Sequence, residues 1–419
     1  MKGNKKKGRK KKLKITLLVI EAVVIILALA VGGFGVYYTV SGDAKKIEIR
    51  NNLIKELSGC SLVRNVLLKS ERSDYDKNVK DKDYDEDNVE INKEVRRKLT
   101  GYTNIALFGL DSRNDEFESD THSDSIIVVS INNETGDVKM VSVYRDTMMK
   151  MRNRKGESVY SKANRAFFYD GAEGTVSMLN NNLDLNITDY VVVNFSGLTE
   201  IIDALGGVDV NITDKEQFYI NGYLVETREV TGMDAPDIEK SGNVHLSGLQ
   251  ATAYCRIRYT SFFDEEGNEY RDDMGRTARQ RYVLKKLVEK AKAAGSDQLI
   301  KIAKMILNSN TEEETFIKTS MDFDEIMDLI PFAMDFTLTD TTGFPFTIAM
   351  PKIDGESMVV AEGLEYNVQK LHEYLFNKKN YVVSGGVTKI SQYIEDYTGI
   401  EEVKLPEDRD NAGETESTP

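Results

Sequence analysis

A chain of 419 residues, 40% hydrophobic and 30% charged, has enough apolar side chain for a sizeable core and enough charge for a solvated surface, which excludes disorder of the whole. Nine Lys/Arg and no acid occupy the first fourteen residues, so a net charge of −14 leaves −23 on the remainder. A body that acidic repels nucleic acid, and any phosphate it takes must sit in a locally basic pocket. Two cysteines in unlike contexts (Cys60, Cys255) and three scattered histidines (His122, His245, His372) exclude a disulfide framework and offer no ligand set for structural zinc.

Residues 1–14 form a basic tail ahead of an apolar run, Ile15–Val40, that is interrupted only by Glu21, two threonines and small residues. The run exceeds the roughly 20 residues needed to cross a hydrocarbon core. The positive flank places the N-terminus in the cytoplasm, so the expectation is a single-pass cell-membrane protein with everything after Val40 outside. A cleavable signal peptide ending near Ala28-Leu29-Ala30 is the alternative, and export follows either way.

Residues 41–100 read as a spacer, weakly helical at first and then dominated by Lys, Asp, Glu, Asn and Tyr. From 101 to 380 a continuous α/β pattern follows. Strands are expected at Asn104–Leu110, Ser125–Ile131 and Val138–Val143, then a helix at Ala172–Leu183 and a strand at Tyr190–Phe195. A helix at Leu198–Leu205, stopped by Gly206-Gly207, leads to a strand at Val208–Ile212. Residues 214–246 read as a loop-rich insertion, and Gln250–Tyr259 leads into a long helix at Asp273–Ala294. Further helices (Gln298–Leu307, Asp324–Met334, Leu364–Phe376) and strands (Phe336–Thr339, Phe346–Met350) complete the domain. A C-terminal extension, 381–406, and a polar tail, 407–419, end the chain. The alternation predicts an α/β fold, a central mixed β-sheet flanked by helices on both faces and preceded by one transmembrane helix.

Arg256, Arg258, Arg271, Arg276, Arg279 and Arg281 fall within 26 residues, a local inversion of sign in an acidic body. If Ala253–Tyr259 is extended, Arg256 and Arg258 share a face as a two-pronged anion clamp. Arg276, Arg279 and Gln280 share a helix face with Val283 and Leu287. Arginine in the first turns opposes the helix dipole unless an anion is bound, and guanidinium forks suit pyrophosphate. Surface ion pairs with Asp264, Glu265, Glu266, Asp272 and Asp273 are the competing account. Asp111 ends the first strand and Asp124 opens the second, a carboxylate pair suited to Mg²⁺ (or Mn²⁺). Turn-capping aspartates are the alternative there. Arg145, just past the third strand, lies at the same edge if strands one and three run parallel. No GxSxG, P-loop or Ser/His/Asp set is present.

Taken together, Asn104–Arg113, Ser123–Ile127, Val143–Thr147, the Asn194–Ile212 block, Tyr254-Cys255-Arg256-Ile257-Arg258-Tyr259 and Gly275–Arg281 resemble the LytR-CpsA-Psr family of cell-wall glycopolymer transferases. The resemblance runs from about Asn104 to Phe376. It implies that Asp111 and Asp124 hold Mg²⁺, that Arg113, Arg145, Arg256, Arg258, Arg276, Arg279 and Gln280 surround a pyrophosphate, and that Asp273 lies close to the reacting phosphate. It further implies an apolar pocket for a polyprenyl tail. The activity implied is transfer of an undecaprenyl-pyrophosphate-linked glycopolymer, of teichoic acid or capsule type, onto peptidoglycan outside a Gram-positive-type membrane. Arg145, Arg256, Arg258 and Asp273 are the catalytic candidates, with Asp146 a rival to Asp273 as base. Lipid-pyrophosphate hydrolysis and a non-catalytic envelope sensor are the other two readings. Three departures stand out: His122 where the family has Arg, Tyr144 where it has Pro, and a longer Phe262–Arg271 segment.

Overall fold

Period-two alternation in the central strands decides what each face of the sheet packs against. The computed structural model describes residues 76, 79–81, 83–111, 121–309, 316–322, 325–326 and 337–401, with backbone alone for 294–309, all within the unit Cys60–Pro419. The proposed anchor at 15–40, Arg113, most of the predicted helix Asp324–Met334 and the tail at 407–419 lie outside these residues. Among the described residues no helix is long and apolar enough to cross a membrane.

After a short helix α1 (Lys93–Lys98), strands β1 (Tyr102–Leu110), β2 (Ser123–Asn132) and β3 (Asp137–Val143) form an antiparallel meander. A hairpin of β4 (Met148–Arg152) and β5 (Ser158–Lys162) leads to α2 (Arg165–Leu183), β6 (Asp189–Val193) and α3 (Phe195–Ala204). Next come β7 (Val208–Ile212), α4 (Asp214–Thr231), β8 (Gly242–Leu246), α5 (Gly248–Tyr254) and a small hairpin of β9 (Phe262–Phe263) with β10 (Glu269–Tyr270). The long α6 (Asp272–Ser309), β11 (Ile317–Thr319), β12 (Thr337–Phe344), α7 (Leu364–Phe376) and α8 (Gly385–Thr398) follow. The main sheet is ordered β11-β6-β1-β2-β3-β12. β1 pairs in parallel with β6, and β3 with β12, so the sheet is mixed.

Even-numbered residues Ala106, Phe108, Ile126, Val128, Tyr190 and Val192 join a closed core with α2, α7 and α8. Odd-numbered Leu107, Gly109, Ile127, Val191 and Val193 face the opposite side, toward α3, α5 and α6. There α3 and α5 cross closely. A Cβ on Gly248 would lie 2.1 Å from the Thr199 carbonyl oxygen, and Thr199 and Thr252 hydroxyls hydrogen-bond across the crossing at 3.0 Å.

Four expectations are corrected. Residues 214–246 are not loop-rich: Thr213 and Glu216 form a reciprocal capping box that starts α4, and Gly232 in left-handed conformation ends it. Its polar sequence buries only Glu216, Ile220, Leu224 and Thr227, too sparse a stripe to read as a helix. Ala253–Tyr254 end helix α5 rather than forming part of an extended segment. The helix expected at Gln298–Leu307 is the continuation of α6. The folded unit also exceeds 101–380, since Val95 and Leu99 before it and Val387, Ile390 and Ile394 after it belong to the closed core.

Candidate functional site

β1 and β2 meet at an irregularity that sets the site. Their pairing steps from Gly109↔Ser125 to Leu110↔Ser123, leaving Asp124 as the unpaired residue of a β-bulge, a device that re-aims a side chain at a sheet edge. β1 and β3 run parallel, because each is antiparallel to β2, and Arg145 just past β3 therefore reaches the same edge. Its Nη1 donates to Asp124 Oδ1 at 2.6 Å. Arg258 Nη2 and Arg276 Nη1 donate to Asp124 Oδ2 at 3.0 and 3.1 Å, and Arg276 Nη2 donates to the Asp124 carbonyl at 2.9 Å.

A second carboxylate joins from the first turn of α6. Asp273 lies 3.0 Å from Arg276, 3.4 Å from Arg145 and 3.8 Å from Arg258. The arginine at the unfavourable helix end is thus offset by two acids, and three guanidiniums bracket two carboxylates in a partly buried cluster. Burial raises the Asp124 carboxyl, but Arg276, Arg145 and Arg258 outweigh it and hold the group below the usual carboxylate range. Burial lowers the Arg145 guanidinium, and Asp124 and Asp273 more than offset it, so its charge is reinforced. Arg276 is 3% exposed, and its Nε is buried without a hydrogen-bond partner among the described residues.

Beside this cluster opens a cavity of about 440 Å³. Asp111, Asp124, Arg256, Arg258, Arg276 and Gln280 line its polar end, and Leu107, Val191, Leu198, Val283, Leu284 and Leu287 its apolar remainder. Along α6 the lining changes from Arg276 and Gln280 to Val283 and Leu287 over successive turns, as the helix face in the sequence anticipated.

The predicted residues do not all converge. Arg256 and Arg258 both line the cavity but hold different acids. Arg256 donates to Glu226 and Thr227, each at 2.9 Å, with its guanidinium 4.6 Å from the Phe195 ring centre. Gln280 donates to the Cys255 carbonyl at 3.3 Å, while its buried Oε1 has no partner among the described residues. Arg279 is absent from the cavity wall: fully buried, it pairs with Glu216 at 3.0 Å and donates to the Thr260 and Ser261 carbonyls. It is a strut between α4 and α6, placed there because α6 turns it toward the N-terminus of α4. Sequence reasoning missed Glu226, Tyr223 and Phe195 around Arg256. The Thr213-x-x-Glu216 capping signature could have exposed α4 and with it these residues.

Asp146 forms an ion pair with Lys162 at 3.0 Å and lies 3.8 Å from Arg145. His122 stacks on Phe168 with ring centres 5.1 Å apart. Burial and then Arg165 lower its pKa, so it is neutral near pH 7 and does not replace an arginine's charge. Asp111 follows the last residue of β1 and Asp124 is the bulge residue of β2, and both line one cavity; carboxylate oxygens are the donor type that Mg²⁺ or Mn²⁺ takes, and those of Asp124 already accept from Arg145, Arg258 and Arg276. No group of three His, Cys, Asp or Glu forms among the described residues, so substrate or water oxygens would complete such an ion's shell.

Fold and site define an α/β domain with a cavity lined by guanidinium and carboxylate groups at one end and by apolar side chains along the rest. The LytR_cpsA_psr family model matches residues 64–372, and the chain belongs to that family. It is 30% identical over 237 residues to the polyisoprenyl-teichoic acid–peptidoglycan teichoic acid transferase TagU of Bacillus cereus strain AH820, covering 55% of this chain and 68% of that one. The protein of the same name from Bacillus mycoides strain KBAB4 is 32% identical over 217 residues, covering 51% and 62%. Among solved structures, protein gbs0355 of Streptococcus agalactiae superposes with a TM-score of 0.53 at 25% identity, over 75% of this chain and 99% of the other.

Proposed function

We propose that this chain is a membrane-associated phosphotransferase that moves an undecaprenyl-pyrophosphate-linked glycopolymer, of teichoic acid or capsule type, onto peptidoglycan outside the cell membrane. The observation that carries it is an apolar cavity ending in guanidinium groups, one of them Arg276 with a buried N–H that has no partner among the described residues. An isoprenoid tail fits the first part and a diphosphate the second. The names of the TagU relatives support the reaction class.

In this reading Arg145, Arg258 and Arg276 bind the diphosphate oxygens and stabilise the charge that develops as an acceptor sugar hydroxyl attacks the phosphorus nearer the glycan. The bond from that phosphorus to the bridging oxygen breaks, and the polyprenyl phosphate leaves. Asp273, beside the same arginines, takes the hydroxyl proton. Arg256, fixed by Glu226 and Phe195, orients the donor. A divalent ion held by Asp111 and Asp124 would supply further neutralisation of phosphate charge.

The test is transfer of radiolabelled polymer from polyprenyl pyrophosphate to peptidoglycan by the purified chain. Arg256→Ala with Arg258→Ala is expected to lower the rate about a hundredfold or more, and full activity in that variant would remove the proposal. Product analysis separates transfer from hydrolysis.

A further inference from the structure

Helix α4 presents a face that its own core does not use. Ile220, Leu224 and Thr227 point inward, while Phe218 and Val225, seven residues apart on the opposite side, are 73% and 65% exposed. Gln217–Val225 contains no charged residue in a chain that is 30% charged. The patch extends beyond the helix: the Tyr219 ring lies 5.5 Å from Phe218 and 6.2 Å from Tyr259, and Tyr259 is 71% exposed. It is also continuous with the cavity rim, because Tyr223, one turn after Tyr219, and Arg258, next to Tyr259, both line the cavity.

We propose that this outward face of α4, with Tyr259, seats on the outer surface of the phospholipid bilayer. The inference rests on the reading of the cavity as a lipid site and adds where the lipid is met. Exposed aromatic rings with an aliphatic neighbour are the composition that partitions into a membrane interface. An acidic body is repelled by anionic headgroups, so the uncharged span Gln217–Val225, between Asp214 and Glu229 on this face, is where close approach costs least. Contact at the cavity rim lets a membrane-borne ligand pass into the protein without exposing its chain to water.

The full chain contains no tryptophan, so Phe218→Trp introduces a single reporter. It is reconstituted in vesicles of equal parts phosphatidylcholine and phosphatidylglycerol, with and without acyl-brominated lipid. Emission from Phe218→Trp is expected to be quenched by the brominated lipid, and emission from Val382→Trp, at a position 75% exposed beyond α7, is not. Emission that ignores brominated lipid and stays open to iodide overturns the proposal. So does shielding from iodide by soluble glycan strands alone, which would mark a saccharide platform. In a second arm, Phe218→Ser with Val225→Ser lowers transfer from vesicle-borne lipid about tenfold and leaves transfer in detergent micelles unchanged. Equal loss in both settings, or in neither, also overturns it. A parent chain inactive in micelles marks failure of the transferase reading, while the quenching result stands on its own.

Discussion

On one face of the sheet Phe108, Ile126, Val128 and Tyr190 meet α2, α7 and α8 in a packed core. On the other, Leu107, Gly109, Ile127 and Val191 front a cavity of about 440 Å³. The strands are the same, and adjacent residues serve opposite ends. The closed face contributes the stability that burial brings, about 1.5–3 kcal/mol for a fully buried large apolar side chain. The open face forgoes part of that packing to leave room for a ligand. Its polar rim is held in place by ion pairs, and those pairs divide in the same way, with Arg276 turned to the cavity and Arg279 to the interior.

The widest separation is expected between those two arginines. Arg279→Ala leaves Glu216 buried without its partner and should cost about 3–5 kcal/mol in urea unfolding, with polyprenyl-pyrophosphate binding per folded molecule unchanged. Arg276→Ala should abolish that binding in calorimetric titration. Equal binding losses in the two variants would mean that Arg279 also serves the ligand.

Next, Phe108→Ala should cost about 3–5 kcal/mol, whereas Leu107→Ala, at a half-buried position facing the cavity, should cost less and weaken binding of a long isoprenoid tail more than of a short one. Similar unfolding costs for these neighbours would make the two faces equivalent.

The closed face carries a pH dependence of its own. Burial lowers His372 from the ordinary 6.5 to about 4; its Nε2 faces the Leu183 carbonyl oxygen at 3.0 Å. The unfolded chain then takes up the proton first as pH falls. The His372 contribution is full above about 6.5, declines by about 3 kcal/mol on the way to pH 4, and changes no further below. Urea unfolding across that range checks the slope, and His372→Gln should make it shallower. Asp124, shifted down, adds its own loss only below the ordinary carboxylate range.

The smallest effect is expected at Cys255. Burial pushes its thiol up to about 12, so a thiol reagent at pH 8 should leave it unmodified in the folded chain and label it after denaturation, as mapped by mass spectrometry.

Much of this was legible in the sequence because local pattern carries it. The apolar runs Asn104–Leu110 and Ser125–Ile131 mark strands that a neighbour on each side must cover, and the gradient from Arg276 to Leu287 along one helix face already describes an amphipathic ligand. Asp111, Asp124 and Arg145 share one edge on the condition that strands one and three run parallel, which the pairing of both with β2 supplies. What sequence could not decide is which charge stands opposite which. Arg276 meets Asp124 across 152 residues of chain, and Arg279, three residues on, meets Glu216 instead. Both belong to the same charge run, and only the crossing of α4 and α6 sends one to the ligand and the other to the core. The bulge at Asp124, the reach of Arg256 to Glu226 and the extension of the domain past both expected borders were settled the same way. They depend on contacts between distant segments, to which periodicity along one segment is blind.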